Sequence, residues 1–284
     1  MERFCDLHTH SNYSDGSCTP EELITCAREA GLAAVALTDH NTVLGLPRFL
    51  AAARNSGVEA VPGAEFSTDY EGTELHILGL FIRSEHYDVL TAMMEEAHRR
   101  KEESNRQLVE ALAQAGYRLD YESLKASSPS GLINRAHIAG ELTRLGYTAD
   151  RQEAFSKLLS PKCGFYRPPE RIGAFEMIRV LKSMGAVTVL AHPFLSLKEE
   201  SDLREFLVQA REAGLDAMEV RYSKFDEDQT RLAEQLAAQY GLLSSGGSDF
   251  HGENKPDICM GRGRGDLKVP VSFLDELKRR AAMA

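Results

Sequence analysis

The sequence predicts an α/β fold, either a barrel or an open doubly wound sheet, made of seven short strands and one helical insertion. Three observations predict it. Short apolar runs alternate with helical patterns along most of the chain, the rhythm of parallel strands joined by right-handed crossovers. Helix stop signals recur at suitable spacing, with Gly31, Gly57 and Gly214 closing helical stretches. One segment, from about Glu85 to Arg171, holds no strand and is far longer than a crossover requires.

The runs Arg3–His8, Ala33–Leu37, Glu59–Val61, Leu75–Phe81, Val187–Ala191, Ala217–Val220 and Leu242–Ser245 read as buried strands. Between the first two, Thr19-Pro20-Glu21-Glu22 supplies an N-cap, a proline at the first helical position and two acids in the first turn. Asn41–Ser56 and Leu203–Ala213 have the same helical character. Asp69-Tyr70-Glu71-Gly72-Thr73 is too short for a crossover helix and reads as a turn between antiparallel segments. The long insertion opens with a charged helix over Asp88–Ala115 and continues with helices near Arg135–Leu145 and Asp150–Leu159. The expected division is a barrel of residues 1–115 and 171–284, with a cap of residues 116–170 inserted between the fourth and fifth strands.

Composition narrows the function classes. With 43% hydrophobic and 27% charged residues the chain is not mostly disordered. No apolar run approaches the ~20 residues of a membrane helix, and Met1 to His10 has no signal-peptide core. The five cysteines (Cys5, Cys18, Cys26, Cys163, Cys259) are odd in number and never form C-x-x-C. Neither a disulfide framework nor a zinc ribbon is indicated, and a reducing cytoplasm is the expected location. A net charge of −10 argues against long nucleic acid as a partner, because non-specific binding rests on many Lys and Arg contacts to phosphate. A small phosphorylated ligand in one pocket remains compatible, and so do acidic metal ligands offset by cations.

Six of the nine histidines fall at or just past the C-terminal end of an expected strand, several beside an acid. The first cluster is Asp6-Leu7-His8-Thr9-His10, where residues two apart on a strand share a side and can chelate one ion, with Asp6 behind them as an orienting acid. Asp15 follows in a polar loop. Later strand ends carry Thr38-Asp39-His40, Gly63-Ala64-Glu65, Glu74-Leu75-His76, Ala191-His192-Pro193 and Ser248-Asp249-Phe250-His251. Any one of these has a plainer reading, a core histidine or a turn-capping aspartate. Together they place ionisable groups at the pole where α/β folds bind ligands, and burial there needs compensation that divalent cations provide. Imidazole and carboxylate without thiolate suit Mn, Fe or Zn, and nine ligands suffice for two or three ions. Glu65 is the natural bridge, since a carboxylate can span ions roughly 3.5–4 Å apart.

The motifs DLHTHSNYSDG, ALTDHNT, PGAEFS, LHILG, LAHP and GSDFH, in this order, resemble those of the PHP (polymerase and histidinol phosphatase) family of metal-dependent phosphoesterases. The resemblance implies a distorted (βα)7 barrel with a trinuclear centre. It places His8, His10, Glu65 and Asp249 on one ion, Glu65, His76 and His192 on a second, and Asp15, His40 and His251 on a third. Some members carry His where this chain has Asp15.

The insertion is similar to that of nucleoside 3′,5′-bisphosphate phosphatases and related short-RNA 5′-exonucleases, on Ile133-Asn134-Arg135-Ala136-His137-Ile138-Ala139, Lys157-Leu158-Leu159 and Gly164-Phe165-Tyr166. From Ile133 to Arg171 seven basic residues face four acids, a local positive excess on an acidic chain. Arg135 and His137, at a helix start, are expected to grip a substrate phosphate. The expected activity is hydrolysis of a phosphate ester on a nucleotide-sized substrate by a metal-activated hydroxide, with His192 or Asp249 carrying the proton. The rival expectations are histidinol-phosphate hydrolysis and a non-catalytic metal-binding module. Gly261-Arg262-Gly263-Arg264-Gly265 is expected to be a flexible loop rather than a phosphate cradle, because no strand feeds it. The sequence leaves the oligomeric state open.

Overall fold

A computed structural model describes residues 3–128 and 131–283. In chain order the main elements are β1 (Phe4–Asp6), α1 (Pro20–Glu29), β2 (Ala34–Leu37), α2 (Leu46–Ala53), β3 (Glu59–Tyr70), β4 (Thr73–Leu80), α3 (Tyr87–Gln114), α4 (Tyr121–Ala126), α5 (Arg135–Arg144) and α6 (Arg151–Ala154). They continue with α7 (Ala174–Ser183), β5 (Val187–Leu190), α8 (Pro193–Ser196), α9 (Glu200–Ala213), β6 (Ala217–Tyr222), α10 (Glu227–Gln239), β7 (Leu243–Gly247), β8 (Val269–Pro270) and α11 (Val271–Ala281).

The sheet order is β7-β6-β5-β4-β3-β2-β1-β8. It closes on itself where Leu7 N donates to Gly246 O (3.2 Å), Asp249 N donates to His8 O (2.9 Å), and Thr9 bridges Phe250 in parallel. The expected seven strands therefore form a barrel, and β8 is an unanticipated eighth strand paired antiparallel to β1. Its two residues are too few to leave a periodic signal.

Strand periodicity sorts the side chains. In β2, Ala34 and Ala36 point into the barrel with Cys5, Val61 and Val187, while Val35 and Leu37 pack under the outer helices with Phe49 and Phe66. Following the inward positions toward one mouth leads from apolar to ionisable groups: Ala34 and Ala36 on β2, then Thr38 and His40 just past it; Val61, Gly63, Glu65 on β3; Ala217, Glu219 on β6. The barrel is thus filled with hydrocarbon at its base and with imidazoles and carboxylates at its mouth.

The differences from the expected elements have local causes. β3 runs on from Val61 to Tyr70 and turns through Glu71 and Gly72, both at positive φ (51° and 79°), into β4. β4 is antiparallel to both neighbours, so His76 lies near the start of its strand and still reaches the mouth. The helix expected from Asn41 begins only at Leu46, because Asn41 is left-handed (φ 52°) and its N–H donates to Glu65 O (2.8 Å). Before α1, Thr19 and Glu22 form the reciprocal capping box implied by their spacing, Thr19 N to Glu22 Oε2 at 2.7 Å and Glu22 N to Thr19 Oγ1 at 3.2 Å. A cap of this kind contributes about 1 kcal/mol.

The insertion has its own apolar cluster, including Ile133, Ile138, Leu142, Leu158 and Tyr166. Leu108, Val109 and Leu112 of α3 belong to it, so the second half of that long helix packs with the insertion rather than with the barrel. Gly261–Gly265 is a packed turn: Cys259 bridges Gly263, and Gly261 N donates to the buried Asp6 Oδ2 at 2.7 Å.

Candidate metal centre

All nine predicted ligand residues meet at the barrel mouth. Their donor atoms form four groups within coordinating reach: His10, Asp15, His40 and His251; His8, His10 and Asp249; His8, Glu65 and His192; and His40, Glu65 and His76. Glu65 lies at the centre, with Oε1 2.7 Å from His76 Nδ1 and 3.0 Å from His192 Nε2, and Oε2 3.2 Å from both His8 Nε2 and His10 Nε2. The grouping sets His76 beside His40 and His192 beside His8, whereas the resemblance pairs His76 with His192.

The residues fit divalent cations on three counts. His10 Nδ1, His40 Nδ1, His192 Nδ1, Asp15 Oδ1 and Glu65 Oε2 are buried without a hydrogen-bond partner, a costly state that a cation relieves. His8 Nε2 and His10 Nε2 face each other at 3.1 Å, both turned toward Glu65. The donor set is imidazole and carboxylate throughout. His192 (φ 27°) and Asp249 (φ 57°) sit in left-handed backbone that non-glycine residues seldom adopt, a strain that collects at functional sites.

Residues behind the donors set their direction. Glu219 accepts from His8 Nδ1–H at 2.9 Å and from His192 N–H at 2.7 Å, which fixes the His8 tautomer and leaves Nε2 facing the centre. Sequence reasoning missed Glu219, although an acid inside the apolar run Ala217–Val220 was a visible signal. Asp6, expected to orient the imidazoles, instead binds Ser248 N (2.8 Å), Ser248 Oγ (2.5 Å) and His8 N (3.3 Å), and so holds the backbone on which the ligands stand. Asp39 does the same for the following loop through Ser11 N (2.8 Å) and Ser14 Oγ (2.6 Å). Asp249 Oδ2 accepts from Lys255 Nζ (2.7 Å) and Tyr222 OH (2.8 Å), leaving Oδ1 toward His8 and His10.

The local electrostatics follow. Burial disfavours the charged form of His8, yet Glu65 and Glu219 hold its pKa well above the ordinary histidine range. His10 is likewise carried up to about 9 against burial, by Asp249 and Glu65, and His76 up to about 10, by Glu65 and Glu74. Burial dominates at His40 and takes it down to about 3. Burial also opposes ionisation of Asp249, but Lys255 and the neighbouring imidazoles keep its carboxyl well below the usual range.

Beside the centre lies a cavity of about 230 Å³ roofed by the insertion, its wall including His40, His76, Lys101, Arg135, Tyr166 and Arg171. Arg135 stacks over Tyr166 (4.3 Å to the ring centre), and both Arg135 (3.3 Å) and Arg171 (2.8 Å) donate to Glu74 Oε2. Lys101 bonds Asn134 Oδ1. His137 Nδ1 accepts from Asn134 N at 3.0 Å at the start of α5, which makes Nε2 its donor, and His137 is not among the residues of this cavity's wall. Lys101 and Arg171, not singled out from sequence as phosphate contacts, stand there instead.

With this geometry in hand, comparison with known proteins decides the family: the PHP domain pattern matches residues 6–163, more than half of the chain. The protein belongs to the PHP domain family. Curated relatives extend the match over nearly the whole chain. A 5′-3′ exoribonuclease of Haemophilus influenzae is 30% identical over 251 residues, 88% of this chain and 91% of that protein. A phosphoribosyl 1,2-cyclic phosphate 1,2-diphosphodiesterase of Eggerthella lenta is 32% identical over 257 residues, 87% of this chain and 94% of that protein. A 3′,5′-nucleoside bisphosphate phosphatase of Chromobacterium violaceum is 29% identical over 256 residues, 89% of this chain and 90% of that protein. The PHP match ends before His192, Asp249 and His251, which the fold brings back to the same centre. Among the described residues no helix is long and apolar enough to cross a membrane.

Proposed function

We propose that this PHP protein is a metal-dependent phosphoesterase that hydrolyses a phosphate ester of a nucleotide-sized substrate, such as a nucleoside 3′,5′-bisphosphate or the 5′ end of a short oligoribonucleotide. The observation that carries it is the juxtaposition of unpaired imidazole and carboxylate atoms around Glu65 with a cavity lined by Lys101, Arg135 and Arg171. Two or three ions of Mn, Fe or Zn would be held by these donor groups, Glu65 among them. Bound there, they supply Lewis acidity toward a phosphoryl oxygen and a hydroxide nucleophile at neutral pH.

The chain's own residues do the rest. Arg135 and Arg171 hold a second phosphate or the neighbouring backbone of the substrate, in the position where Glu74 now holds them. Tyr166 and the stem of Met94 give the ribose and base an apolar wall. Of the two candidate proton carriers, His192 suits the role better, because Asp249 is kept ionised by Lys255 and Tyr222 and acts as an anionic ligand. Residues 116–170, with the second half of α3, act as the substrate-covering cap. The named activities of the relatives share a phosphate ester on a ribose-bearing substrate, which favours this reading over histidinol phosphate.

A phosphate-release panel of nucleoside monophosphates, bisphosphates, a ribose cyclic phosphate, di- to pentanucleotides and histidinol phosphate, with Mn, Zn and Fe added separately, tests it. Turnover of the nucleotide substrates, abolished together with metal retention in His10→Ala, is expected. Preference for histidinol phosphate, or turnover of none by metal-loaded protein, overturns the reading.

A further inference from the structure

The cap touches the barrel on two sides of the mouth. On one side Arg135, at the start of α5, donates to Glu74 Oε2 of β4 (3.3 Å). On the other, Arg151 of α6 reaches the loop between β7 and β8. Its Nη1 donates to Asn254 O (2.9 Å) and its Nη2 to Asn254 Oδ1 (2.6 Å), a two-pronged grip on one residue 103 positions away. The same Asn254 passes its amide hydrogen on: Nδ2 donates to the backbone carbonyl of Asp15 at 2.9 Å.

This contact sits between two ligand-bearing loops. Asn254 closes the turn that starts at His251, and the Asp15 loop is tied to that turn again by Ser17 N to His251 O (3.0 Å) and Glu253 N to Ser17 Oγ (2.8 Å). His251 Nε2 and Asp15 Oδ1 are 3.2 Å apart, and both belong to the group completed by His10 and His40. A second feature is shaped to this grip. A Cβ at Gly140 of α5 would come within 2.9 Å of Arg151 Nη2, so a larger residue there would push the guanidinium from its present place across the helix.

We propose that Arg151 is a positioning residue that makes one part of the metal centre depend on the seated cap. Through Asn254 it sets the Asp15 and His251 loops, and so the donor group His10, Asp15, His40 and His251, while the groups built around Glu65 stand without it. The proposal rests on the metal-dependent reading above. A cap that is not docked across the mouth leaves that donor group loose, so substrate cover and full ion occupancy arrive together.

The test is an ion-binding isotherm on the full chain, with Mn or Zn titrated against a chromogenic chelator and the bound ions counted by elemental analysis. Arg151→Ala and Asn254→Ala are expected to weaken one class of site by about ten- to a hundredfold, the range seen when a partner behind a ligand is removed, and to leave the tighter class unchanged. Arg151→Lys should rescue at most in part, since an ammonium lacks the fixed planar fork that meets Asn254 O and Oδ1 together. The loss in Arg151→Ala combined with Asn254→Ala should fall short of the sum of the two single losses, because Asn254→Ala leaves Arg151 only the backbone Asn254 O. Arg144→Ala, which removes only the exposed pair with Glu141, is the control. Unchanged isotherms in both single variants, or additive losses in the double variant, overturn the proposal. If the unaltered protein binds no ions at all, it is the phosphoesterase reading that fails. Should Arg151→Ala not fold, Asn254→Ala and Gly140→Ala probe the same contact from its other sides.

Discussion

Glu219 and His8 lie 2.9 Å apart, Oε1 to Nδ1, with both side chains sealed from solvent. The other Glu219 oxygen takes the backbone N–H of His192, so one carboxylate aligns two candidate ligand residues from two strands. Glu219→Ala leaves a buried imidazole without its partner. Chelator competition should show a ten- to hundredfold loss of metal affinity, and metal-free protein should lose about 3–5 kcal/mol in denaturant unfolding. Glu219→Gln, which still accepts from Nδ1–H, should recover part of both. Wild-type values in Glu219→Ala would remove its orienting role.

Ion uptake should release protons. In the metal-free chain the pKa values of His8, His10 and His76 are raised, that of His10 to about 9 and that of His76 to about 10, whereas a ligand imidazole must be neutral. Apparent affinity should therefore rise with pH until about 9 to 10. The same raised values stabilise the metal-free fold fully below the unfolded pKa of roughly 6.5, and that contribution is lost as pH climbs through 9 and 10. Calorimetry in buffers of different ionisation enthalpy checks the proton count; heats independent of buffer would contradict it.

The cation-lined cavity predicts a selectivity signature. Arg135→Ala and Arg171→Ala should each lower kcat/KM for a nucleoside 3′,5′-bisphosphate by about ten- to a hundredfold, the equivalent of a charge-assisted hydrogen bond of roughly 1.5–3 kcal/mol. A substrate lacking the second phosphate should be affected far less. Equal losses on both substrates would show that the arginines support the fold rather than the ligand.

Lys101 provides a pH handle. Burial brings its ammonium down to about 8, so its charge fades as pH rises through that value. The kcat/KM profile for an anionic substrate should fall above pH 8 in the unaltered enzyme. It should stay flatter in Lys101→Arg, whose guanidinium keeps its charge. Superimposable profiles would exclude Lys101 from substrate attraction.

The sequence by itself determined the alternation of strands and helices and singled out the nine residues that meet at the mouth, because their chemistry is written in their type. It also marked Thr19 as the N-cap of α1, a local feature. What only the tertiary structure decided are the relations across the chain: Glu219 behind His8, Lys255 and Tyr222 on Asp249, Arg151 on Asn254, and Glu74 between Arg135 and Arg171. Each joins residues from different elements, most of them far apart in sequence, and spacing along a chain carries no distance once the strands have closed into a barrel.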